Sequence, residues 1–566
     1  MKWWQSAVFY QIYPRSFADG NGDGIGDFIG MAQKLDYLKD LGVDGIWLSP
    51  HFPSPQFDCG YDVSDYTGVA PEYGTLDDFK AFLDAAHARG MRVILDLVLN
   101  HTSHLHPWFI ESSSSLDNPK RDWYIWRDGK NGGPPNNWCS CFDGDAWELD
   151  PKTGQYYYHY FLKQQPDLNW RNPQVKEAMW DAVRFWLRMG VDGFRLDAIG
   201  TIYEPEDLPN HTSGYNLAQL RKMEHDLRVH HNHKKMRDVW HKTFELQVGQ
   251  PGLHELMKEL RAVMDEFPGD RMLVGEDDDI AYQGNGHDEL HMVFNFPLMR
   301  RIPFSPIAVH KNQVERLGQL AKIDGWPCNT LGNHDTGHYI TRFDPAEAEA
   351  QARVHTAAML TLRGTPFIYN GDEIGMTHLM LEKVEDIRDV IANWVYDTDV
   401  NVYGMSPAEA MQHAAHTTRD KGRTPMQWAN APQGGFCPAK VKPWLPVNPN
   451  YAQGINVADQ DKNPASLLNF HRQMTALRRS VPALVEGEQI PVKPRSRDTL
   501  AFIRKSKNQT VLVLLHLKNT TRKYQWKAAL DGQYNQGKLL YSYSGQELNQ
   551  ATLALKPYDI AIIELS

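Results

Sequence analysis

Cysteine is scarce in this chain of 566 residues. Its five thiols, Cys59, Cys139, Cys141, Cys328 and Cys437, are odd in number, scattered in spacing and free of paired CxxC motifs. Such a set supplies neither a disulfide framework nor a cysteine metal cluster, so reduced thiols in a cytoplasm are expected. Long apolar runs are also lacking, and none approaches the ~18 residues that a membrane span needs. The opening Met1-Lys2-Trp3-Trp4-Gln5 has no basic region followed by an apolar stretch, the mark of a secretory leader. Nor is there a long run of Lys and Arg, and the net charge is −11. That balance argues against nucleic acid or an anionic membrane as partner. No internal repeat is found, and Ser112–Ser115 is the only simple run. A soluble, cytoplasmic protein is expected, as monomer or homodimer.

What is present is enough to bury a large core: 42% of residues are hydrophobic and 23% charged. The length exceeds one compact core and suggests two or three domains. Aromatic residues reach 11%, with 17 Trp and 24 Tyr. Most will be core, but flat amphipathic rings also suit a site that stacks sugars.

Short β-branched runs alternate with helical patterns, which is how a parallel sheet wrapped by helices reads. Candidate strands are 8–12, 45–48, 93–98, 193–196, 272–275, 292–296, 327–331 and 366–369. Candidate helices include 30–41, 76–89, 175–189 and 346–363. Eight strands in βα alternation predict an α/β fold of the (β/α)8 TIM-barrel type. Two intervals break the rhythm, one between Val98 and the helix near Val175, the other from Gly371 to about Tyr451. The first, rich in Asn, Gly, Pro, Trp and Tyr, reads as a small inserted domain after strand 3. After a helix at 465–479 the pattern changes to strands at 500–504, 510–517, 538–542 and 560–565, a C-terminal antiparallel β-sandwich domain. The expected division is residues 1–100 and 172–482 for the barrel, 101–171 for the insertion and 483–566 for the sandwich.

A barrel carries its chemistry at the C-terminal ends of its strands. Gly193-Phe194-Arg195-Leu196-Asp197 sets Arg195 and Asp197 two apart, on one face. An arginine beside an acid favours the ionised carboxylate that a nucleophile requires. Met272-Leu273-Val274-Gly275-Glu276 ends an apolar run in a lone acid, which desolvation would hold protonated as a general acid. Asn333-His334-Asp335 and Asn100-His101 stand at two more strand ends. Any one of these is explained by an ion pair or a loop cap; four strand ends of one polar class are not. Two carboxylates flanking a bond are the equipment of glycoside hydrolysis.

The ordered blocks Asp96–His101, Gly193–Asp197, Glu276 and Asn333–Asp335 resemble the conserved blocks of the α-amylase family of glycosidases. Within it the chain is similar to the oligo-1,6-glucosidase and α-glucosidase group, through Tyr10–Phe17, Gly60–Tyr66, Gln165–Trp170 and Thr418–Trp428. The resemblance implies Asp197 as nucleophile, Glu276 as acid/base and Asp335 as the acid that grips the sugar in the transition state. It further implies that His101, Arg195 and His334 hydrogen-bond the glucose and that Tyr61 stacks under it. By the same resemblance Asp62 and Arg419 hold the non-reducing end, and Phe161 borders the aglycone. The implied substrate is a small oligosaccharide or α-glucoside, cut exo-wise with retention. In that group Val after the nucleophile accompanies α-1,6 preference, and Ala or Thr α-1,4; here it is Ala198, so maltose-like substrates are expected. Relatives that transfer or isomerise, such as trehalose synthases and sucrose isomerases, share the machinery. Non-catalytic relatives that escort transporters carry a membrane helix and have usually lost the acids. Two departures border the aglycone side: Thr336-Gly337 after Asp335, and Asp277-Asp278-Asp279 after Glu276.

The loop Asp19-Gly20-Asn21-Gly22-Asp23-Gly24-Ile25-Gly26-Asp27 offers oxygen donors at alternate positions, as the first part of an EF-hand loop does. Asp19, Asn21, Asp23, the Ile25 carbonyl and Asp27 are therefore expected to hold a structural Ca2+ or Mg2+, with no organic cofactor. His225, His230, His231 and His233 sit among Arg228, Lys234, Lys235 and Arg237, which repel a cation, so a solvated segment is expected there.

Overall fold

The computed structural model describes residues 1–229, 233–494 and 496–566. Eight parallel strands form its centre: β1 (Phe9–Ile12), β2 (Gly45–Leu48), β3 (Arg92–Val98), β4 (Gly193–Asp197), β5 (Met272–Gly275), β6 (Met292–Val293), β7 (Cys328–Thr330) and β8 (Thr365–Tyr369). They pair in the order β7-β8-β1-β2-β3-β4-β5-β6, and a parallel bridge between Phe294 and Cys328 joins the two ends into a closed barrel. The (β/α)8 expectation holds.

Alternation decides which side chains fill the barrel. Phe9, Trp47, Ile94, Met272, Val274, Phe294 and Phe367 form one buried cluster inside it. Their neighbours in sequence, such as Tyr10, Ile46, Leu95, Phe194 and Leu273, pack outward against the helices. The same parity sends Arg195, Asp197 and Glu276 inward at the top. Strand β6 is shorter than expected, pairing beyond Val293 only through the Phe294–Cys328 bridge, and Arg316 Nη2 donates to the carbonyls of Val293 and Phe294. The helix expected at 30–41 is two, Phe28–Gln33 and Leu35–Leu41, broken at Lys34.

After β3 the chain leaves through a neck in which Leu168 N–H bonds the Asn100 carbonyl and Trp170 Nε1 the Leu99 carbonyl, at 2.9 and 2.8 Å. Beyond the neck lies a three-stranded antiparallel sheet of Trp126–Arg127, Tyr156–Tyr158 and Trp147–Leu149. A third excursion, not expected from the sequence, follows β4 and carries helices Leu217–Val229 and His233–Phe244. Its Leu217, Leu220 and Phe244 share a core with Trp138, Trp147 and Tyr158 of the insertion. His230 and His231 lie outside the described residues, as do the side chains of His225 and His233.

The C-terminal part is a five-stranded antiparallel sheet with strands Glu488–Pro491, Thr499–Lys505, Thr510–His516, Ile560–Leu565 and Gly537–Ser542 in that order. One face buries Leu512, Leu514 and Ile563 against Trp526 and a two-stranded ribbon, Arg522–Tyr524 with Leu553–Leu555. The other buries Val511, Val513 and Ile562 in the core shared with the barrel. The second layer is thus a ribbon rather than a full sheet.

Candidate active site

Strand ends β1 to β8 open into a cavity of about 430 Å³, lined among others by Tyr61, Asp197, Glu276, Asp335 and Arg419. Arg195 stands beneath it, fully buried. Its Nη1 donates to Asp197 Oδ1 and to Asp96 Oδ1, both at 2.6 Å, and its Nη2 reaches Glu276 Oε2 at 2.8 Å. One guanidinium therefore gathers three carboxyls, and Asp197 and Glu276 share it from opposite forks. The Ala198 N–H adds a bond to Glu276 Oε2 at 3.1 Å. Ala198 is left-handed (φ 41°, ψ 45°), the strained turn that aims this N–H back across the site. The lone-acid reading of Glu276 is thereby corrected: it follows an apolar strand, but it is met by two donors.

Electrostatics follow from three acids on one cation. Burial raises the Asp197 carboxyl well above its usual range; Arg195 opposes this, while Glu276 and Asp96 add to it. Asp96, also buried, is pushed up to about 6 against the pull of Arg195. Asp335 behaves oppositely. Burial would raise it, but His334, Arg423, Arg419 and Arg195 outweigh burial and hold it well below the usual carboxylate range. Arg423 Nη2 donates to Asp335 Oδ1 at 2.9 Å.

The neutral walls are tied into the same network. Gln11 Nε2 lies 2.8 Å from His334 Nδ1, and His334 Nε2 lies 2.5 Å from the Tyr61 hydroxyl. With the Gln11 amide donating, the His334 proton sits on Nε2, and the Tyr61 O–H is free to donate to Asp96 Oδ2, 3.2 Å away. The Tyr61 and His334 rings stack at 5.5 Å. Burial lowers both His334 and His101 to about 3, so each is a neutral hydrogen-bonding group. His101 lies 3.0 Å from Gln165 Nε2, with the Phe161 ring 5.0 Å away.

Nine of the ten side chains expected to form the site converge here; Asp62 does not. Its carboxyl is fully buried and accepts from Ser54 Oγ, Phe57 N and Asp58 N, so it closes the turn between residues 54 and 62. The acid that lines the cavity is Asp58, bonded to Arg419 Nη2 at 2.8 Å. Asp389 holds the same Arg419 from behind, also at 2.8 Å. The sequence reading also missed Asp96 and Arg423, although both lie inside the blocks that drew attention. Their charged types within those blocks were the available signal; their contacts with Arg195 and Asp335 come only from the fold.

In the loop 19–27, Asp27 caps the helix Phe28–Gln33 by accepting from Gly30 N, and it also receives Gly20 N and Asn21 N. Asp19 accepts from Gly22 N and Gly24 N, and Asp23 from Ile25 N. Trp444 N–H bonds the Gly24 carbonyl, so the loop packs on the segment after β8.

Comparison with known proteins places this geometry. Residues 11–487 match the alpha-amylase catalytic domain. The chain is 40% identical over 543 residues to an oligo-1,6-glucosidase of Parageobacillus thermoglucosidasius, covering 92% of this chain and 91% of that one. It is 40% identical over 525 residues to a probable alpha-glucosidase of Rhizobium meliloti, covering 91% and 89%. Among solved structures it is similar to a mutant of isomaltulose synthase from Erwinia rhapontici in complex with its natural substrate sucrose, with TM-score 0.86, 36% identity and coverage of 100% and 99%.

Proposed function

This chain belongs to the α-amylase family, and on that premise we propose that it is a retaining, exo-acting α-glucosidase that releases α-glucose from the non-reducing end of short α-glucosides. The observation that carries the reading is the shared guanidinium: Arg195 binds Asp197 Oδ1 and Glu276 Oε2 at 2.6 and 2.8 Å. Retaining enzymes need their two carboxyls only ~5–5.5 Å apart, with no room for a water between nucleophile and sugar. A cavity crossed by the Asp58–Arg419 pair suits a terminal glucose held at a blind end.

In this reading Glu276 gives its proton to the glycosidic oxygen as Asp197 attacks the anomeric carbon. The C–O bond to the leaving sugar breaks and an ester to Asp197 forms. Water then attacks the same carbon from the vacated face, Glu276 takes its proton, and Asp197 leaves as carboxylate. Asp335, kept ionised by its arginines, faces the cationic sugar of both transition states. His101, His334 and Tyr61 are neutral partners for the glucose, and Phe161 lies toward the aglycone.

Ala198 favours α-1,4 linkages, so maltose is the expected substrate. The name of the Parageobacillus relative points to α-1,6. The isomaltulose synthase likeness supports a second reading, in which a sugar rather than water attacks the glucosyl ester. Proton NMR of products from maltose, isomaltose, sucrose and trehalose, with Asp197→Asn as control, decides among them. Prompt α-glucose with maltose fastest supports hydrolysis of α-1,4 bonds, and new disaccharides support transfer. No turnover in either protein discards the enzyme.

The loop 19–27 is further proposed to hold a structural Ca2+ or Mg2+. After the backbone bonds described, the carboxylate oxygens of Asp19 and Asp23 and Asp27 Oδ1 keep lone pairs. With Asn21 and the Ile25 carbonyl they are the hard oxygen donors that such an ion would take, although in this structure no three acidic or histidine side chains among the described residues are gathered into a metal-holding group.

A further inference from the structure

The cavity has a second wall that the chemistry above leaves unused. Gly200, Thr201, Val248, Asp277 and Asp278 line it together. Asp277 directly follows Glu276. Its Oδ1 accepts the N–H groups of Asp278 and Asp279 at 2.7 and 2.8 Å, which fixes the plane of the carboxyl. Oδ2 makes no hydrogen bond among the described residues and lies over Gly200. A Cβ added to Gly200 would come within 3.3 Å of this oxygen and 3.4 Å of Val248 Cγ1. The absence of a side chain at Gly200 keeps the gap in front of Oδ2 open.

Charge indicates what the gap accepts. Asp277 and Asp278 share the wall with Arg300 and Arg301, and Arg301 already binds Asp278 at 2.6 Å. Two acids balanced by two arginines favour a neutral polar occupant over a cation. Burial pushes the Asp277 carboxyl up to about 6, a cost that a hydroxyl donated by a bound molecule would offset.

We propose that Asp277 is a specificity-determining residue of the aglycone side, whose Oδ2 accepts a hydrogen bond from a hydroxyl of the leaving sugar. It thereby favours polyhydroxylated aglycones over flat ones that carry no donor. This rests on the α-glucosidase reading and adds to it the class of leaving group. A purely structural Asp277 would need only Oδ1, a role that asparagine fills equally.

The test compares maltose with 4-nitrophenyl α-glucoside, whose leaving group carries no hydroxyl donor when bound through its oxygen. Asp277→Ala should lower kcat/KM for maltose about ten- to a hundredfold, the range for losing a bond to a charged acceptor, chiefly through KM. Turnover of the nitrophenyl substrate should stay within about twofold, which also shows that the variant is folded. Asp277→Asn, whose one carbonyl oxygen is taken by the Asp278 and Asp279 N–H groups and which turns a donor-only amide toward the gap, should keep the local turn yet lose maltose efficiency much as Asp277→Ala does. Gly200→Ala, which narrows the gap, should hinder maltose and spare the nitrophenyl substrate. Parallel losses on both substrates, or no loss on either, would overturn the assignment. Wild-type protein inactive on both would instead overturn the α-glucosidase reading itself.

Discussion

Arg419 Nη2 lies 2.8 Å from Asp58 Oδ1 and equally far from Asp389 Oδ1, so the guanidinium is clamped between one acid in the cavity and one behind it. Asp389 is fully enclosed and bonds Arg419 three times, through N, Nε and Nη2. Asp58 is therefore the member free to meet a sugar. Asp58→Asn should lower kcat/KM for maltose by on the order of a hundredfold or more, because a charged acceptor is lost where glucose is held. Steady-state kinetics check this, and a variant of near wild-type efficiency would move the glucose-holding role elsewhere.

Asp96 adds to the burial and the Glu276 charge that raise the nucleophile's carboxyl. The proposed attack needs Asp197 ionised, and burial with the nearby charges of Glu276 and Asp96 raises its carboxyl. A raised value means activity is lost as pH falls through that value, above the ordinary range for an aspartate. Asp96→Asn removes one of the repelling charges. The acid limb of kcat/KM should then move to lower pH, by on the order of one unit. A limb that stays in place would show that Asp96 acts only by orienting Arg195.

The barrel was legible because its strands are apolar runs of the right length, such as 45–48 and 272–275, with helices between them. The catalytic acids were legible because β periodicity alone puts Arg195 and Asp197 on one face. Asp58 was not, because residues 51–75 have no regular element before the short turn Pro71–Tyr73. Asp58 and Asp62 stand four apart in that stretch, and only the folded turn shows which carboxyl it consumes. The excursion after β4 escaped for a related reason. Its helices Leu217–Val229 and His233–Phe244 carry many polar residues and find their apolar partners in the insertion, a contact that no local pattern encodes.

Ala198 ties linkage to backbone strain. At φ 41° a β-branched side chain is a costly occupant, since its second γ-substituent crowds the neighbouring backbone. Ala198→Val should raise the ratio of isomaltose to maltose turnover and lower stability by about 1 kcal/mol, within the range for such strain. Paired kinetics and denaturant melts read the two effects separately. A ratio that does not move would remove Ala198 as a determinant of linkage.

Metal in the loop 19–27 would tie it to the segment containing Trp444, through the Gly24 carbonyl. An ion at a hundredfold excess over its dissociation constant stabilises the fold by about 2.7 kcal/mol. EDTA should therefore lower Tm, added Ca2+ should restore it, and Asp23→Ala should be insensitive to both. A Tm unchanged by EDTA would discard the ion.

Two buried arginines hold the end of one barrel helix with no carboxylate partner among the described residues, and one of them, Arg504 of the C-terminal sheet, joins that sheet to the barrel. Arg478 donates to the carbonyls of Leu360 and Gly364, and Arg504 to those of Thr361 and Gly487. Leu360 and Thr361 end the helix Ala348–Thr361, where carbonyls lack partners within the helix and the dipole favours a cation. Burial, with repulsion from Arg478 and Arg363, pushes Arg504 well below its usual value, so its place is held by those carbonyl bonds. Arg504→Met keeps much of the volume but leaves the Thr361 and Gly487 oxygens without these donors. Stability should fall by about 2–4 kcal/mol, the cost of two such groups. Residues 365–369 form β8 immediately after this helix, so loosening its end should also let the C-terminal sheet detach before the barrel melts. Denaturant melts followed by Trp fluorescence and by limited proteolysis should separate into two transitions in the variant. A single transition at wild-type stability would mean that these carbonyls are satisfied in another way.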